Sequence, residues 1–411
     1  MEQRALKLER NYYDYLNFLN ASKNLEGTIK ETKLIYSEVF SKESGNEVFI
    51  KPENLQRTGA FKIRGAYNKI SKLTKEERKR GVIASSAGNH AQGVAYAATK
   101  LGVLSTIVMP KTTPIIKVEA TKNYGSKVVL FGDCYDEAYE EAKRLQEEND
   151  YVFVHPFDDL DVIEGQGTIS LEILDELRET DYILVPVGGG GLISGIALAA
   201  KEINPSIKVI GVEPEGAMAM KESVRKNELV NLSFVDTIAD GVAVKKPGVI
   251  TFDIIRDYVD EIITVSDREI MEAFLLLMEK HKIVSENAGS LPFAALKKLN
   301  VWNKKVVCLL SGGNIDVVTV STMINKGLVS RGRLFCFSVQ LPDKPGELLR
   351  IADRLAKLNA NVIGLDHNQF KNTDRFMNVH LEVTCETSGH EHIKQIIESL
   401  NDIGYSLEKI Y

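Results

Sequence analysis

Lys62 stands between Phe61 and Ile63 in the run Glu53-Asn54-Leu55-Gln56-Arg57-Thr58-Gly59-Ala60-Phe61-Lys62-Ile63-Arg64-Gly65-Ala66 and precedes a helical pattern. An amine held among apolar side chains loses stability as a cation, so it becomes a better nucleophile and base. A lone lysine of this kind is more often a surface side chain that lays its stem along apolar neighbours. Its chemistry therefore depends on what accompanies it. The run Ala84-Ser85-Ser86-Ala87-Gly88-Asn89-His90-Ala91-Gln92-Gly93 follows a strand pattern. Its small residues let backbone amides face a carboxylate at a helix N-terminus. His90 by itself reads as a packed helix residue. The run Val185-Pro186-Val187-Gly188-Gly189-Gly190-Gly191-Leu192 sets four glycines between a strand and a helix. Consecutive amides and the positive end of the helix dipole suit a phosphate. The run lacks the Gly-Lys-Ser/Thr of a nucleotide loop and the spaced glycines of a dinucleotide fold. Without a ligand it is a tight turn. Leu309-Leu310-Ser311-Gly312-Gly313-Asn314 is again a strand and a glycine turn, where Ser311 could donate a hydrogen bond into a pocket.

These turns need strands to launch them. Up to about residue 325, short apolar runs (82–85, 105–109, 127–131, 183–187, 208–212, 305–310) alternate with helical patterns such as 136–148 and 168–177. Buried strands alternating with helices predict an α/β fold with mostly parallel sheets. Residues 182–200 are 19 positions without a charge, long enough to span a bilayer. Pro186 and the four glycines argue instead for a buried strand, a turn and a buried helix. The pattern changes near Lys326, where residues 326–332 are polar, carry two glycines and read as a linker. From 333 to 341, Phe335, Phe337, Val339 and Leu341 share one face. A Pro/Gly turn follows at 342–346, then a helix over 347–358, strands over 362–369 and 376–385, a helix over 391–400 and a strand over 406–410. That is βαββαβ in roughly 80 residues, the ferredoxin-like split arrangement.

The 411 residues are 44% hydrophobic and 26% charged, which permits a full core and excludes disordered, collagen-like and disulfide-rich classes. Lys+Arg number 51 against 57 Asp+Glu, a net charge of −6. No basic surplus points to a nucleic-acid partner or a membrane surface. Cys134, Cys308, Cys336 and Cys385 are scattered without paired or metal-binding spacing, which fits a reducing, cytoplasmic setting. Residues 1–15 mix charges and lack the apolar core of a signal peptide.

Together, a lysine in an apolar niche, a phosphate cradle, an anion-binding turn and a hydroxyl donor suit pyridoxal phosphate. The chain resembles the fold-type-II pyridoxal phosphate enzymes, most of all the threonine dehydratases. The likeness covers about residues 5–325, with residues 53–66 as its most specific stretch, and the tail resembles an ACT regulatory domain. The resemblance implies a tryptophan-synthase-β-like fold of two parallel-sheet subdomains over 1–325, the small one roughly 54–155. A linker at 326–332 and an ACT domain at 333–411 would follow. It implies that Lys62 holds the cofactor covalently, with Phe61 beside the ring. Gly188, Gly189, Gly190, Gly191 and Leu192 would bind the phosphate. Asn89 would meet the phenolic oxygen, Ser311 the pyridine nitrogen, and Gly241 and Glu286 would line the site. Ser85, Ser86, Ala87, Gly88, Asn89 and His90 would cradle the substrate carboxylate. The implied reaction removes the α-proton of L-threonine with the Lys62 amine and expels the β-hydroxyl, giving 2-oxobutanoate and ammonia. L-Serine would give pyruvate. A neutral Ser311 makes the ring a weaker electron sink than a carboxylate would, so the carbanion is short-lived and elimination competes well with transamination.

Some positions depart from the family. Asn287 and Ser290 stand where it shows proline and alanine. Glu213 and the Ala217 carbonyl match a cation site of serine racemase relatives, but Ala219 replaces an aspartate ligand. A lost carboxylate weakens a hard-cation site, so no metal is expected. Ala87 stands where a racemase needs a serine as its second acid/base. The alternatives are a serine racemase or serine dehydratase, a cysteine-synthase-like β-replacement enzyme and a non-catalytic amino-acid sensor. Ala87 speaks against racemisation, the ACT-like tail against β-replacement, and the set Lys62, Asn89 and Ser311 against a sensor. The resemblance also implies a homodimer or homotetramer serving isoleucine biosynthesis or threonine catabolism. An effector amino acid, isoleucine or valine, would bind between paired tails, its carboxylate on backbone amides offered by the loop Asp343-Lys344-Pro345-Gly346 and with Asn361 nearby.

Overall fold

The computed structural model describes residues 16–368 and 378–411. The reading of residues 1–15, and the parts of two expected strands at 369 and 376–377, lie outside them. The chain divides between Ile315 and Asp316 into two units.

In the first unit, apolar runs without alternation become strands covered on both faces. They are β1 (Ile35–Tyr36), β2 (Glu47–Pro52), β3 (Val82–Ser85), β4 (Ser105–Met109), β5 (Lys127–Leu130), β6 (Val152–Phe153), β7 (Tyr182–Pro186), β8 (Lys208–Pro214), β9 (Glu261–Val265) and β10 (Lys305–Leu310). The larger sheet has the order β1-β2-β10-β7-β8-β9 and is parallel except for β1 against β2. The smaller sheet, β5-β4-β3-β6, is wholly parallel. The expected strands lie within two residues of the observed ones. Residues 182–200 are β7, a turn and the helix Gly191–Ile203. Among the described residues no helix is long and apolar enough to cross a membrane. The helix expected from residue 168 begins earlier, as Leu160–Glu176, because Asp159 caps it by accepting from the Asp161 and Val162 amides.

Parallel strands send their following loops to one edge, where ligands bind in open α/β sheets. The three glycine-bearing turns follow β3, β7 and β10, and Lys62 follows β2. The helix Lys62–Ser71 lies close against Leu160–Glu176. A Cβ on Gly65 would sit 2.7 Å from the Val162 carbonyl, and one on Gly165 would sit 2.6 Å from that of Arg64. Beside this contact the buried Arg64 guanidinium donates to Glu53 at 2.8 and 2.7 Å and to Glu172 at 2.6 and 2.9 Å. Buried Lys51 donates to Glu172 at 2.6 Å. Two cations thus face two carboxylates, which offsets the cost of keeping the charges from water. The cluster ties the end of β2 to both helices.

The second unit holds β11 (Leu334–Pro342), β12 (Asn361–Asn368), β13 (Asn378–Glu386) and β14 (Leu407–Lys409) in an antiparallel sheet ordered β12-β13-β11-β14. The helices Glu347–Lys357 and His390–Asn401 complete the βαββαβ order. Phe335, Phe337, Val339 and Leu341 pack with Ile351, Leu355 and Ile396 in one core. The expected linker is mostly helix. Residues 326–330 end the helix Val317–Ser330, and only 331–333 form a turn before β11. Met323 and Gly327, one turn apart, are both buried, so packing overrides the low helix propensity of glycine. The boundary accordingly falls at 315 rather than 325.

Candidate active site

Lys62 follows a strained turn. Thr58 and Gly59 both take left-handed backbone, at φ 63° and 73°, which glycine adopts freely and threonine rarely. The loop after β10 braces it. Asn314 Nδ2 donates to the Thr58 carbonyl at 2.7 Å, the Gly313 amide to Gly59 at 2.9 Å, and the Phe61 amide to Ser311 at 3.1 Å. β2 and β10 are parallel neighbours, so the two loops leave one edge side by side. Lys62 Nζ donates to the Pro156 carbonyl at 2.8 Å and lies 5.2 Å from the Phe61 ring centre. Protein surrounds the amine, although part of the Lys62 side chain stays exposed. Desolvation pulls its pKa down to about 8, against the opposing charge of Glu286.

The glycine turn after β7 is shaped by its neighbours. A Cβ on Gly189 would lie 2.3 Å from the Phe157 ring, and one on Gly188 would lie 2.9 Å from Val242 Cα. Gly190 has φ 97°. Thr251 Oγ1 donates to the Gly189 carbonyl at 2.6 Å. The first amide of the following helix to donate back is that of Ser194, to Gly190 at 3.0 Å. The preceding amides, from Gly191 and Leu192, are left at the positive end of the helix, as a phosphate requires.

Residues 85–90 do not offer every amide to a carboxylate. That of Ser86 donates to Val108 at 3.2 Å, and that of Gly88 to Ser86 Oγ at 3.2 Å. In the helix Asn89–Lys100 the first amide to donate back is that of Gln92, to Gly88 at 3.3 Å. The amides of Asn89 and His90 therefore stand at the helix N-terminus beside Ala87. Ser85 Oγ is buried without a partner among the described residues. The buried His90 ring bonds through Nε2 to the Val154 carbonyl at 2.8 Å. A carbonyl only accepts, so Nε2 carries the proton. Burial holds the pKa of His90 down at about 3, so this side chain is neutral and structural, not an acid.

Asn89 Nδ2 donates to both carboxylate oxygens of Glu286, at 2.9 and 2.8 Å. Desolvation raises the Glu286 pKa to about 7, against the Asn89 hydrogen bonds and the Lys62 charge. A Cβ on Gly312 would sit 2.5 Å from Glu286 Oε1, and one on Gly241 would sit 3.7 Å away. Gly241, Glu286 and the Ser311 turn therefore share one wall. Asn287, where the family shows proline, donates from Nδ2 to the Ile238 carbonyl at 2.7 Å. It ties the helix Asn287–Ala295 to the segment before Gly241. Ser290 Oγ is buried without a partner among the described residues. Glu213 accepts from the Met220 and Lys221 amides at 3.0 and 2.8 Å, at the head of the helix Ala219–Lys226. Among the described residues no three His, Cys, Asp or Glu side chains cluster as a metal site would need.

Sequence reasoning missed the loop after β6. Val154 holds His90, Pro156 holds the Lys62 amine, and the Phe157 ring fills the space beside Gly189. His155 Nδ1 accepts from the Phe157 and Asp158 amides at 3.3 and 2.8 Å. Asp158 accepts from the Val249 and Ile250 amides at 3.0 and 2.9 Å. β6 is two residues long and gave no strand pattern to mark the turn. The acidic pair Asp158-Asp159 before a helix was the available signal.

In the second unit, Asp343, Lys344, Gly346, Glu347 and His367 line a cavity of about 310 Å³. Asn361 is not among its lining residues. Its Nδ2 donates to Glu386 at 2.8 Å instead.

The first unit's site meets the needs of pyridoxal phosphate. It has an amine of lowered pKa for the aldehyde, a helix head with free amides for the phosphate, and an amide donor at Asn89 for the phenolic oxygen. A family model described as pyridoxal-phosphate dependent enzyme matches residues 25–312. The L-threonine ammonia-lyase of Thermotoga maritima is 47% identical over 388 residues, 94% of this chain and 97% of that protein. That likeness takes in most of the second unit. The catabolic L-threonine dehydratase of Escherichia coli is 45% identical over 309 residues, 74% of this chain and 94% of that protein. Among solved structures, processed threonine deaminase isoform 2 from Solanum lycopersicum matches with a TM-score of 0.72 and 39% identity, covering 75% of this chain and 92% of its own. Maize serine racemase matches with a TM-score of 0.72 and 38% identity, over 76% and 97%. A family model over residues 25–312 and a relative 47% identical along most of its length agree, and the chain belongs to the pyridoxal-phosphate dependent enzymes.

Proposed function

We propose that the protein is an L-threonine ammonia-lyase that converts L-threonine to 2-oxobutanoate and ammonia, and L-serine to pyruvate. The observation that carries this reading is the Lys62 amine, held at 2.8 Å from the Pro156 carbonyl with a pKa of about 8. The likeness to an L-threonine ammonia-lyase along 94% of the chain supports it.

Bound pyridoxal phosphate supplies an electron sink for a carbanion at the substrate α-carbon. The remaining tasks fall to the chain. The amides of Ala87, Asn89 and His90 hold the carboxylate and so fix the α-carbon. Lys62 Nζ takes the α-proton, and its lowered pKa keeps a useful neutral fraction near neutral pH. The Pro156 carbonyl orients that amine without taking its proton. Ser311 offers a hydroxyl rather than a carboxylate toward the ring nitrogen. Ala87 carries no proton for the opposite face of the α-carbon, which favours elimination over racemisation. The likeness to maize serine racemase favours a serine racemase or serine dehydratase as the second reading, and Ala87 weighs against the racemase.

We read the second unit as an ACT regulatory domain. Isoleucine or valine binds in the cavity lined by Asp343, Gly346 and His367, in a cytoplasmic homodimer or homotetramer serving isoleucine biosynthesis or threonine catabolism. The βαββαβ order and that cavity support this. The deciding assay measures 2-oxo acid released from L-threonine and L-serine by the purified protein, with and without isoleucine and valine. Release from neither substrate would defeat the catalytic reading. Release unaffected by either amino acid would defeat the regulatory one.

A further inference from the structure

We infer that Asn314 is a positioning residue that fixes which end of the Asn89 amide faces Glu286 and the cofactor. The inference goes beyond the function proposed above and rests on its placement of Asn89 against the cofactor ring.

It starts from an acceptor that has no choice. The Thr58 carbonyl can only accept, so the Asn314 atom 2.7 Å away is Nδ2. The same nitrogen lies 2.8 Å from the Asn89 side chain. The Asn89 atom there must accept, so it is Oδ1. Asn89 Nδ2 is then turned the other way, where it donates to both oxygens of Glu286 at 2.9 and 2.8 Å. A flipped Asn89 amide would set donor against donor at Asn314 and carbonyl against carboxylate at Glu286. One backbone carbonyl thus sets the polarity of a chain of three side chains.

Asn314 has little room to do otherwise. Gly59 leaves the space it occupies, since a Cβ there would lie 2.3 Å from Asn314 Oδ1. Thr58, at φ 63°, offers the carbonyl from a conformation that threonine rarely holds. Asn89 sits at the head of its helix, where an amide with a fixed donor end presents N–H to an anionic oxygen. A flipped amide would present oxygen to oxygen.

The test measures loss of pyridoxal phosphate from the holoenzyme on serial dilution, read from its visible absorbance. Asn314→Ala, Asn314→Asp, Asn89→Ala and the double variant Asn89→Ala/Asn314→Ala are compared with wild type. Asn314→Ala is expected to weaken cofactor binding about tenfold. Asn314→Asp should weaken it at least as much, because a carboxylate sets oxygens against two acceptors. It keeps the side-chain volume beside Gly59 if the alanine variant fails to fold. The double variant should bind no worse than Asn89→Ala alone, because Asn314 acts through Asn89. Additive losses in the double variant, or wild-type binding by Asn314→Asp, would overturn the inference. Wild-type binding by Asn89→Ala would overturn the placement of Asn89 on which it rests.

Discussion

Lys62 Nζ and the Pro156 carbonyl oxygen stand 2.8 Å apart and join residues 94 positions distant in the chain. Pro156 follows β6 of the smaller sheet, and Lys62 opens the helix that follows β2 of the larger one. The carbonyl receives a hydrogen bond from the amine but cannot accept its proton outright, so it aims the base without spending it.

Replacing Lys62 by alanine should lower kcat by at least about 10³-fold. The visible absorbance of bound cofactor should vanish with it. The side chain makes a single hydrogen bond here, so the thermal midpoint of the cofactor-free protein should move by only about 3 °C. Absorbance spectra, circular dichroism melts and turnover on L-threonine check this. Substantial turnover by Lys62→Ala would remove the role from this residue.

Glu286 makes the cofactor-free protein sensitive to pH. Its carboxyl is raised from 4.5 to about 7 by burial. Between those values the folded protein holds a proton that the unfolded chain has released. Stability therefore falls as pH rises through this window, and the loss is complete above the folded value. Glu286→Gln should flatten that decline and be more stable than wild type at pH 8 by on the order of 1 kcal/mol. Urea midpoints of both proteins at pH 5 and pH 8 decide it. An unchanged slope in the variant would show that other groups titrate there.

Arg64→Leu should destabilise the fold by about 3–5 kcal/mol, because buried Glu53 would keep only the Thr32 hydroxyl and Glu172 only Lys51. Arg64→Lys keeps the charge but lacks the fork that reaches both carboxylates, so it should lose less. Urea unfolding of the three proteins measures both. A cost for Arg64→Leu within about 0.5 kcal/mol, as at an ordinary surface site, would mean the cluster is not coupled.

The wild type should form no D-amino acid from L-serine or L-threonine, and Ala87→Ser should form it detectably. Chiral chromatography of the products tests this. Racemisation by the wild type would show that a group other than residue 87 delivers the proton.

A chain ended after Ile315 should keep its turnover and lose its response to isoleucine and valine. The catabolic dehydratase of Escherichia coli is matched over 94% of its length by 74% of this chain. A truncated chain that still answers to either amino acid would place the effector site in the first unit.

The fold was legible where burial is uniform. Wholly buried runs such as 82–85 and 105–109 need apolar residues at every position, so sequence marks them plainly. The linker was misread because residues 326–330 continue the helix Val317–Ser330, in which Met323 and Gly327 are buried, a reason local propensity does not carry. The site was legible where a residue type is demanded by chemistry or close approach, as at Lys62 and Gly189. It was not legible where only a backbone atom is used. Pro156 serves through its carbonyl and Thr58 through its conformation, and neither leaves a mark in side-chain type. The Ser86 amide looked available because its partner, Val108, comes from the fold, whereas that of Gly88 is taken by the Ser86 hydroxyl two residues before it.

The Phe157 ring beside Gly189 and the Thr251 hydroxyl on its carbonyl hold the glycine turn proposed for the phosphate in shape by protein contacts alone. The ordering of that loop is thus completed during folding rather than at binding, and little entropy remains to be lost when an anion arrives. Such a cradle can exchange its occupant without refolding. Cofactor stripped from the protein should therefore return in one simple bimolecular phase, with no slow step of loop assembly before it.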